Sequence, residues 1–554
     1  MPPVVEPAPI TAGVDRLLDS LPLRDRIAQL VMPWIPGTYA ALDDSAFRQA
    51  EHWVDSLHVG GIIVSVGSPL DEAAKLNALQ RKAPLPLLIA SDLESGTAIR
   101  FNGGTRFPPN MGVAAGGREQ DAWEIGRITA LEGRAVGVHI AFAPDADVNS
   151  NPDNPIINTR SFGENPDTVS RFVAAAVRGI QANGMLATAK HFPGHGDTET
   201  DSHLALPVVS ADWTRLDTLE LVPFRAAVKA GVDVVMSAHI ALPGIDSGRV
   251  RPATVNPDVL TGVLRDTLGF HGLTVTDALN MQGVVAKYGP AQAAVLAFEA
   301  GADLLLMPAD AGAAIDAMEQ AVTSGRVSEA RLNQSVRRIL EIKHDLGLFR
   351  HRTVDLDSVM ATVGRAEFQA FADSVAARSI VLARDDGTVD SLAAAPRRIA
   401  VIQYGEGTGE NVGGTFAGAL RASGDTVTTF RLHAESGAAS YDSAAAVSAA
   451  SPFTIFAVAV RAVAWKGSIG LPAPLVTLMD SAATRSGTML VSFGSPYVSA
   501  QAPGIRSYLL AWSTNPESER AAARALRGGA ITGRLPISIP PDLPIGSGLM
   551  RGAR

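Results

Sequence analysis

The chain contains no cysteine. Disulfides, thiolate metal sites and a cysteine nucleophile are excluded together. The redox compartment is not thereby decided, since a large cysteine-free protein folds in reducing and oxidising surroundings alike. No apolar run reaches the roughly 20 residues of a membrane span. Net charge is −9 with both signs interspersed and no basic block, so a nucleic-acid partner is not expected. The opening "MPPVVEPAPITAG" lacks the basic and apolar regions of a signal peptide. It resembles the Pro-rich linker that often follows one. The expected location is therefore cytoplasmic as the sequence stands, and periplasmic or secreted if a leader was trimmed ahead of it.

What is present is ordinary globular material: 46% hydrophobic and 19% charged residues. At 554 residues the chain exceeds what one core usually serves, so two domains are expected. The first two thirds alternate between short apolar runs and longer segments of helical spacing. The runs are "IAQLVMPW", "GGIIVSVG", "PLLIASDLE", "HIAFAPDADVN", "MLATAKHFPG", "VDVVMSAHI", "LTVTDALNM" and "ADLLLMPAD". Such near-continuous runs suit parallel strands buried on both faces. Helical patterns such as "DEAAKLNALQRK" and "DTVSRFVAAAVRGIQANG" separate them, the second with Asp167 and Gly184 as expected caps.

Eight strand–helix units in succession predict a (β/α)8 TIM-like barrel over 21–360, after a Pro-rich linker over 1–20. Asp92, Glu94, Asp145, Asp147, Lys190, His191, His239 and Asp277 stand at the C-terminal ends of the runs. In a barrel those ends share one face, which holds the active site. A helical link over 361–379 leads to a smaller α/β/α sandwich over 380–554. Its "YGEGTGENVGG" resembles a dinucleotide loop, but no placement of G-x-G-x-x-G fits, and an ordinary loop is expected. "AWKGSIGLP" (464–472) and "FGSPYV" (493–498) are either pocket-completing loops or surface turns.

"KHFPGHGDTETDSH" (190–203) crowds three histidines, three acids and a lysine together. His191 and His195 stand four apart, a ligand spacing on a helix, but Pro193 and the glycines at 194 and 196 forbid a helix. No H-x-H pair ends the first run. No metal and no cofactor are expected. Lys190 with the glycines could cradle phosphate, yet no GK[ST] signature follows. A proton-handling role fits better. Asp201 can accept a hydrogen bond from the His203 ring, which fixes its tautomer. A solvated Asp-Ser-His turn is the plainer alternative. Asp277 is placed either for nucleophilic attack from a strand end or as the N-cap of the following helix.

Together, "KHFPGHGDTETDSH" and "TVTDALNM" resemble glycoside hydrolase family 3, in its β-N-acetylglucosaminidase branch. "SDLESGTAIRF", "FAPDADVNSNPDNPIINTRSFGENP" and "GRLPISIP" are similar to further family segments in the expected order, so the resemblance covers nearly the whole chain. Ser95 stands where the family has the first glycine of D-x-E-G-G. The resemblance implies a retaining exo-β-N-acetylglucosaminidase acting on cell-wall (muropeptide) or chitin fragments. Carried over, Asp277 is the nucleophile and His203 the general acid/base, paired with Asp201. Asp92, Arg100, Arg160, Lys190 and His191 hold the sugar, and Lys190 and Arg160 help keep Asp277 ionised. The implied partner is a carbohydrate. Histidine in place of a carboxylate acid also points to phosphate as a second acceptor. The alternatives are a β-glucosidase or β-xylosidase of the same family, a non-catalytic sugar-binding protein on the same barrel, and a metal-dependent amidohydrolase.

Overall fold

The computed structural model describes residues 10–553, apart from 463–465, 467 and 468. Two short strands, β1 (Val31–Met32) and β2 (Trp34–Pro36), come first. They are followed by β3 (Gly61–Ser65), β4 (Leu88–Ser91), β5 (Ile140–Ala141), β6 (Leu186–Phe192), β7 (Val234–Ser237), β8 (Leu273–Val275) and β9 (Leu305–Leu306). β2 to β8 pair in chain order as one parallel sheet. β1 pairs in parallel with β9, and an isolated bridge joins Val275 to Leu304. Every residue of β3 to β9 is buried, which explains why the runs read as continuously apolar.

The run "IAQLVMPW" opens as the end of a helix (Leu23–Ala28) and becomes strand only at Val31. Part of the expected N-terminal linker is also ordered. Ile10–Ser20 is a helix that buries Val14 and Leu18, and Asp15 pairs with Arg337 on the helix Glu329–Asp345. The helix expected from Asp167 starts earlier. Asn165 is its N-cap, accepting from the Thr168 N–H at 2.9 Å, with Pro166 in the first turn. It ends at Gln181, so Gly184 lies beyond the cap. An amide and a proline at the right offset outrank an aspartate one turn in.

A second, mixed sheet is separate from the first. It comprises β10 (Val381–Arg384), β11 (Arg398–Gly405), β12 (Thr426–Leu432), β13 (Phe453–Ala459), β14 (Thr488–Ser492) and β15 (Ser507–Leu510), ordered β10-β15-β14-β13-β11-β12. Only β10–β15 is antiparallel. The helix Ala366–Ser379 connects the two parts, with Arg378 clamping Asp121 at 2.9 and 3.0 Å. Further contacts reach toward the strand ends of the first sheet. Tyr497, in the expected "FGSPYV" candidate, meets the Asn149 amide at 2.9 Å, and Glu164 accepts from the Ser538 N–H and hydroxyl at 2.8 and 2.7 Å. In the other candidate, "AWKGSIGLP", residues 464, 465, 467 and 468 lie outside the described residues, and the Leu471 N–H donates to Gln501 at 2.7 Å.

The Gly-rich loop after β11 opens the helix Gly414–Ala422. Its first N–H groups are already taken: Gly413 and Phe416 donate to the two oxygens of buried Glu519, at 2.7 and 2.9 Å. A carboxylate of the chain itself occupies the place a phosphate would take.

Candidate active site

The polar residues at the ends of β4 to β6 converge in one network, and those after β7 and β8, His239 and Asp277, lie beside it. Lys190, buried in β6, reaches Asp92 at 3.3 Å and Glu94 at 2.6 Å. Arg100 holds the other Asp92 oxygen at 3.2 Å. Arg160 grips Glu94 with two bonds, at 2.9 and 2.8 Å, and lies 3.4 Å from Asp145 and 3.3 Å from His191 Nε2. His191 Nδ1 meets Asp147 at 2.8 Å. All five expected sugar-holding residues, Asp92, Arg100, Arg160, Lys190 and His191, belong to this one network.

Its electrostatics follow from burial and charge. Desolvation works against an ionised Glu94, but Arg160 and Lys190 outweigh it and hold the carboxyl well below its usual range. Asp145 is pushed up to about 7 by burial, opposed by Arg160 and assisted by the charge on Glu94. Asp147 is lowered against the same penalty by His191 and the His195 N–H. The ligand atoms of Asp145, Asp147 and His191 lie within 4.8 Å of one another, a spacing that could hold a metal. Arg160 sits against two of the three, however, so a cation already faces that cluster. The His191–His195 ligand pair is not formed either. His195 directs Nδ1 to Thr198 at 2.8 Å and Nε2 to Ser202 at 3.0 Å.

The stretch 190–203 leaves the end of β6 and folds back over the mouth. It carries the Asp201–His203 pair, with Nδ1 at 2.8 Å from the carboxylate and the His203 N–H on the same oxygen at 2.9 Å. Asp201 is buried and His203 only partly so. Gly196 permits the fold-back, because a Cβ there would collide with the Val148 carbonyl oxygen. Arg215 ties the loop down through Asp197 at 2.8 Å and is itself held by Glu220 at 3.1 Å.

Asp277 follows β8 and does not cap a helix. The next helix starts at Gln282. One Asp277 oxygen accepts the Ala278 N–H at 2.8 Å. Burial would raise its pKa, but the facing His239 and His191, the Ala278 N–H and His203 bring it down to about 2. Lys190 and Arg160, expected to keep Asp277 ionised, are instead neutralised by Glu94, Asp92 and Asp145. The loop and the segment that follows Asp277 also touch directly, with the Gly283 N–H on the Ser202 carbonyl at 3.3 Å.

Glu94, Asp145, Asp147 and His239 are visible in the sequence as strand-end residues, yet their tasks as counter-charges and tautomer-setters are not. His195 reads as a ligand in sequence and proves to be a neutral brace, its pKa lowered by burial to about 4. Ser95 disturbs nothing, because the turn's positive φ of 88° falls on Gly96, where a Cβ would collide with the Thr105 carbonyl oxygen.

The model of the glycosyl hydrolase family 3 N-terminal domain matches residues 22–342, more than half of the chain. The chain belongs to that family. It is 35% identical over 351 residues to β-hexosaminidase A of Pseudoalteromonas piscicida, an alignment covering 59% of this chain and 58% of that protein. The chain thus spans about three fifths of the length of the curated relatives it first matches. Among solved structures, a family 3 β-N-acetylglucosaminidase from Paenibacillus sp. superposes with a TM-score of 0.85 at 33% identity, covering 94% of this chain and 99% of that one. A β-glucoside phosphorylase bound to 2FGlc superposes at 0.86 with 25% identity, over 95% of this chain and 96% of that one.

Proposed function

We propose that the protein is a retaining exo-β-N-acetylglucosaminidase that removes terminal N-acetylglucosamine from cell-wall or chitin fragments. The observation that carries this reading is the Asp201–His203 pair lying over the segment of Asp277, a carboxylate held ionised at neutral pH. In the first step, an Asp277 oxygen attacks the anomeric carbon while His203 Nε2 gives its proton to the leaving oxygen. Asp201 accepts from Nδ1–H and so makes Nε2 the nitrogen that exchanges the proton. In the second step, His203 takes a proton from water, the water oxygen bonds to the anomeric carbon, and Asp277 leaves. Asp92, Arg100, Lys190, His191 and Arg160 orient the sugar through its hydroxyls.

Two points of architecture belong to the same proposal. The β1–β9 pairing, the Val275–Leu304 bridge and the single residue Pro33 between β1 and β2 support a closed (β/α)8 barrel. Separate apolar cores, one ending at Val375 and two others dominated by later residues, support a two-domain division near 361–379. Phosphate is proposed as an alternative acceptor, since a neutralisable imidazole repels it less than a carboxylate would. The likeness to a β-glucoside phosphorylase supports that reading. A lack of any sugar 1-phosphate in phosphate buffer sinks it.

The test is hydrolysis of aryl β-N-acetylglucosaminides beside the matching β-glucosides, by wild type and His203→Ala. We expect preference for the acetylated sugar. His203→Ala should lose about 10²–10⁴-fold on poor leaving groups and far less on good ones, which need little protonation. An indifferent His203→Ala moves the acid elsewhere. A first product of the α-configuration rules out retention.

A further inference from the structure

Three residues of the site, Asp92, Lys190 and Asp277, come from alternate strands, and the strand register says that a fourth belongs with them. Trp34 in β2 pairs with Ile63, and Ile63 with Ala90. Asp92 lies two residues beyond Ala90, on the same face. Ala90 pairs through Ile140 to Leu186, which puts Asp92 level with Thr188, and Lys190 lies two beyond that. Thr188 pairs through Val234 to Leu273. Lys190 is therefore level with Val275, and Asp277 follows two later. The β6–β7 register shifts beyond Ala189, yet Lys190 stays on the inner side, with its ammonium on Asp92 and Glu94. Val275 bridges Leu304, and Leu306 pairs with Met32. Asp277 is thus level with Met32, and two residues further is Trp34.

The same stagger recurs at each step and returns to its starting strand. That is the arrangement of one layer in a closed barrel, with four side chains drawn from alternate strands. Its members are Trp34, Asp92, Lys190 and Asp277. Trp34 stands across from Lys190.

We propose that Trp34 is the apolar wall of the sugar site: its indole face packs on the C–H face of the pyranose whose hydroxyls Asp92 and Lys190 hold. This rests on the glycosidase reading. An indole in the interior of a barrel would ordinarily be covered, but Trp34 is 39% exposed. Its ring is fastened, with Nε1–H donating to Ser65 Oγ at 2.7 Å, one strand over and toward the mouth. Aromatic faces suit the axial hydrogens of a sugar ring, and a fixed ring loses little freedom on binding. The flanking strand ends are apolar and strained. Val66 after β3 has φ 64° and Met307 after β9 has φ 47°. Left-handed backbone at a β-branched residue is costly and concentrates at ligand clamps.

The experiment compares wild type, Trp34→Ala and Trp34→Phe on two aryl β-N-acetylglucosaminides, one with a good and one with a poor leaving group. It adds tryptophan fluorescence during titration with N-acetylglucosamine. We expect kcat/KM of Trp34→Ala to fall by roughly 10–100-fold, chiefly through KM and by the same factor for both leaving groups, since protonation is untouched. Trp34→Phe keeps a ring and should stay within about threefold of wild type. It should also lose the fluorescence response that wild type shows to the sugar. An unchanged kcat/KM in Trp34→Ala, or a response preserved in Trp34→Phe, overturns the proposal and leaves the glycosidase reading standing. If wild type turns over neither substrate, the glycosidase reading falls first and takes this one with it. Should Trp34→Ala not fold, the Trp34→Phe fluorescence decides.

Discussion

The two sheets of this protein treat the C-terminal ends of their strands in opposite ways. Both bring polar groups there, and both place loops where a ligand commonly sits in α/β architecture. In the first sheet Lys190 and Arg160 are neutralised by Glu94, Asp92 and Asp145, while Asp277 faces no such partner cation in that network. Asp277 lies among His239, His191 and His203 and accepts the Ala278 N–H, and Asp201 holds the His203 ring. In the second sheet the Gly-rich loop and its helix look equally prepared for an anion, yet Glu519 fills the N-terminus from within. A strand end becomes a site when its charges are poised rather than satisfied. A glycine-rich pattern alone does not distinguish the two.

The largest effect is expected of Asp277→Asn. On the proposed mechanism it removes the attacking carboxylate, and kcat should fall by about 10⁴-fold or more, with the fold intact by circular dichroism. Retained turnover would show that the first sheet's poised charge is not the reacting one. The counterpart is Glu519→Ala, which strips buried N–H groups of their acceptor. Stability should drop by about 2–3 kcal/mol in denaturant unfolding, with kcat/KM unchanged. If activity fell in step, or if added phosphate restored stability specifically, the second sheet would hold a ligand site after all.

A third effect, read as a slope with pH, concerns a buried acid of the first part that has no counter-charge in contact. Glu72 lies on the helix Pro69–Lys82, fully buried behind Gly37 and Gly67, and neither oxygen has a hydrogen-bond partner. Burial raises its pKa from 4.5 to about 8, against the charge of Lys75. A raised carboxyl pKa means that the folded state keeps a proton which the unfolded chain has lost. The Glu72 contribution to stability is therefore fully present below pH 4.5 and declines as pH rises toward 8, by about 1.4 kcal/mol per unit at most. Glu72→Gln should flatten that part of the stability curve. An unchanged slope would mean that the acid is ionised and solvated in the fold.

The reach of sequence reasoning varies across the molecule for identifiable reasons. The strands of the first sheet are legible because burial on both faces leaves runs of Val, Ile and Leu. The Asp201–His203 pair is legible because its members stand two residues apart. The capping of Pro166–Gln181 differs from expectation by part of a turn, since Asn165 and Asp167 both offer an oxygen and only the backbone path chooses between them. The assignment of charge partners differs more seriously. Lys190 and Arg160, expected to serve Asp277, serve Glu94, Asp92 and Asp145. Trp34 carries no signal in the sequence, being one apolar residue at the end of the least regular run.

Local spacing along the chain dictates which chemistry is available and roughly where it sits: acids and histidines at strand ends, a carboxylate beside an imidazole, and no thiols. These depend on covalent connection and on the need of a buried strand to be apolar. Folding alone selects which charge neutralises which, brings Glu519 to close an anion site 106 residues away, and sets Met32, two residues before Trp34, level with Asp277. Coulomb forces and desolvation act through space rather than along the chain, and the level of each strand is fixed only when β1 pairs with β9.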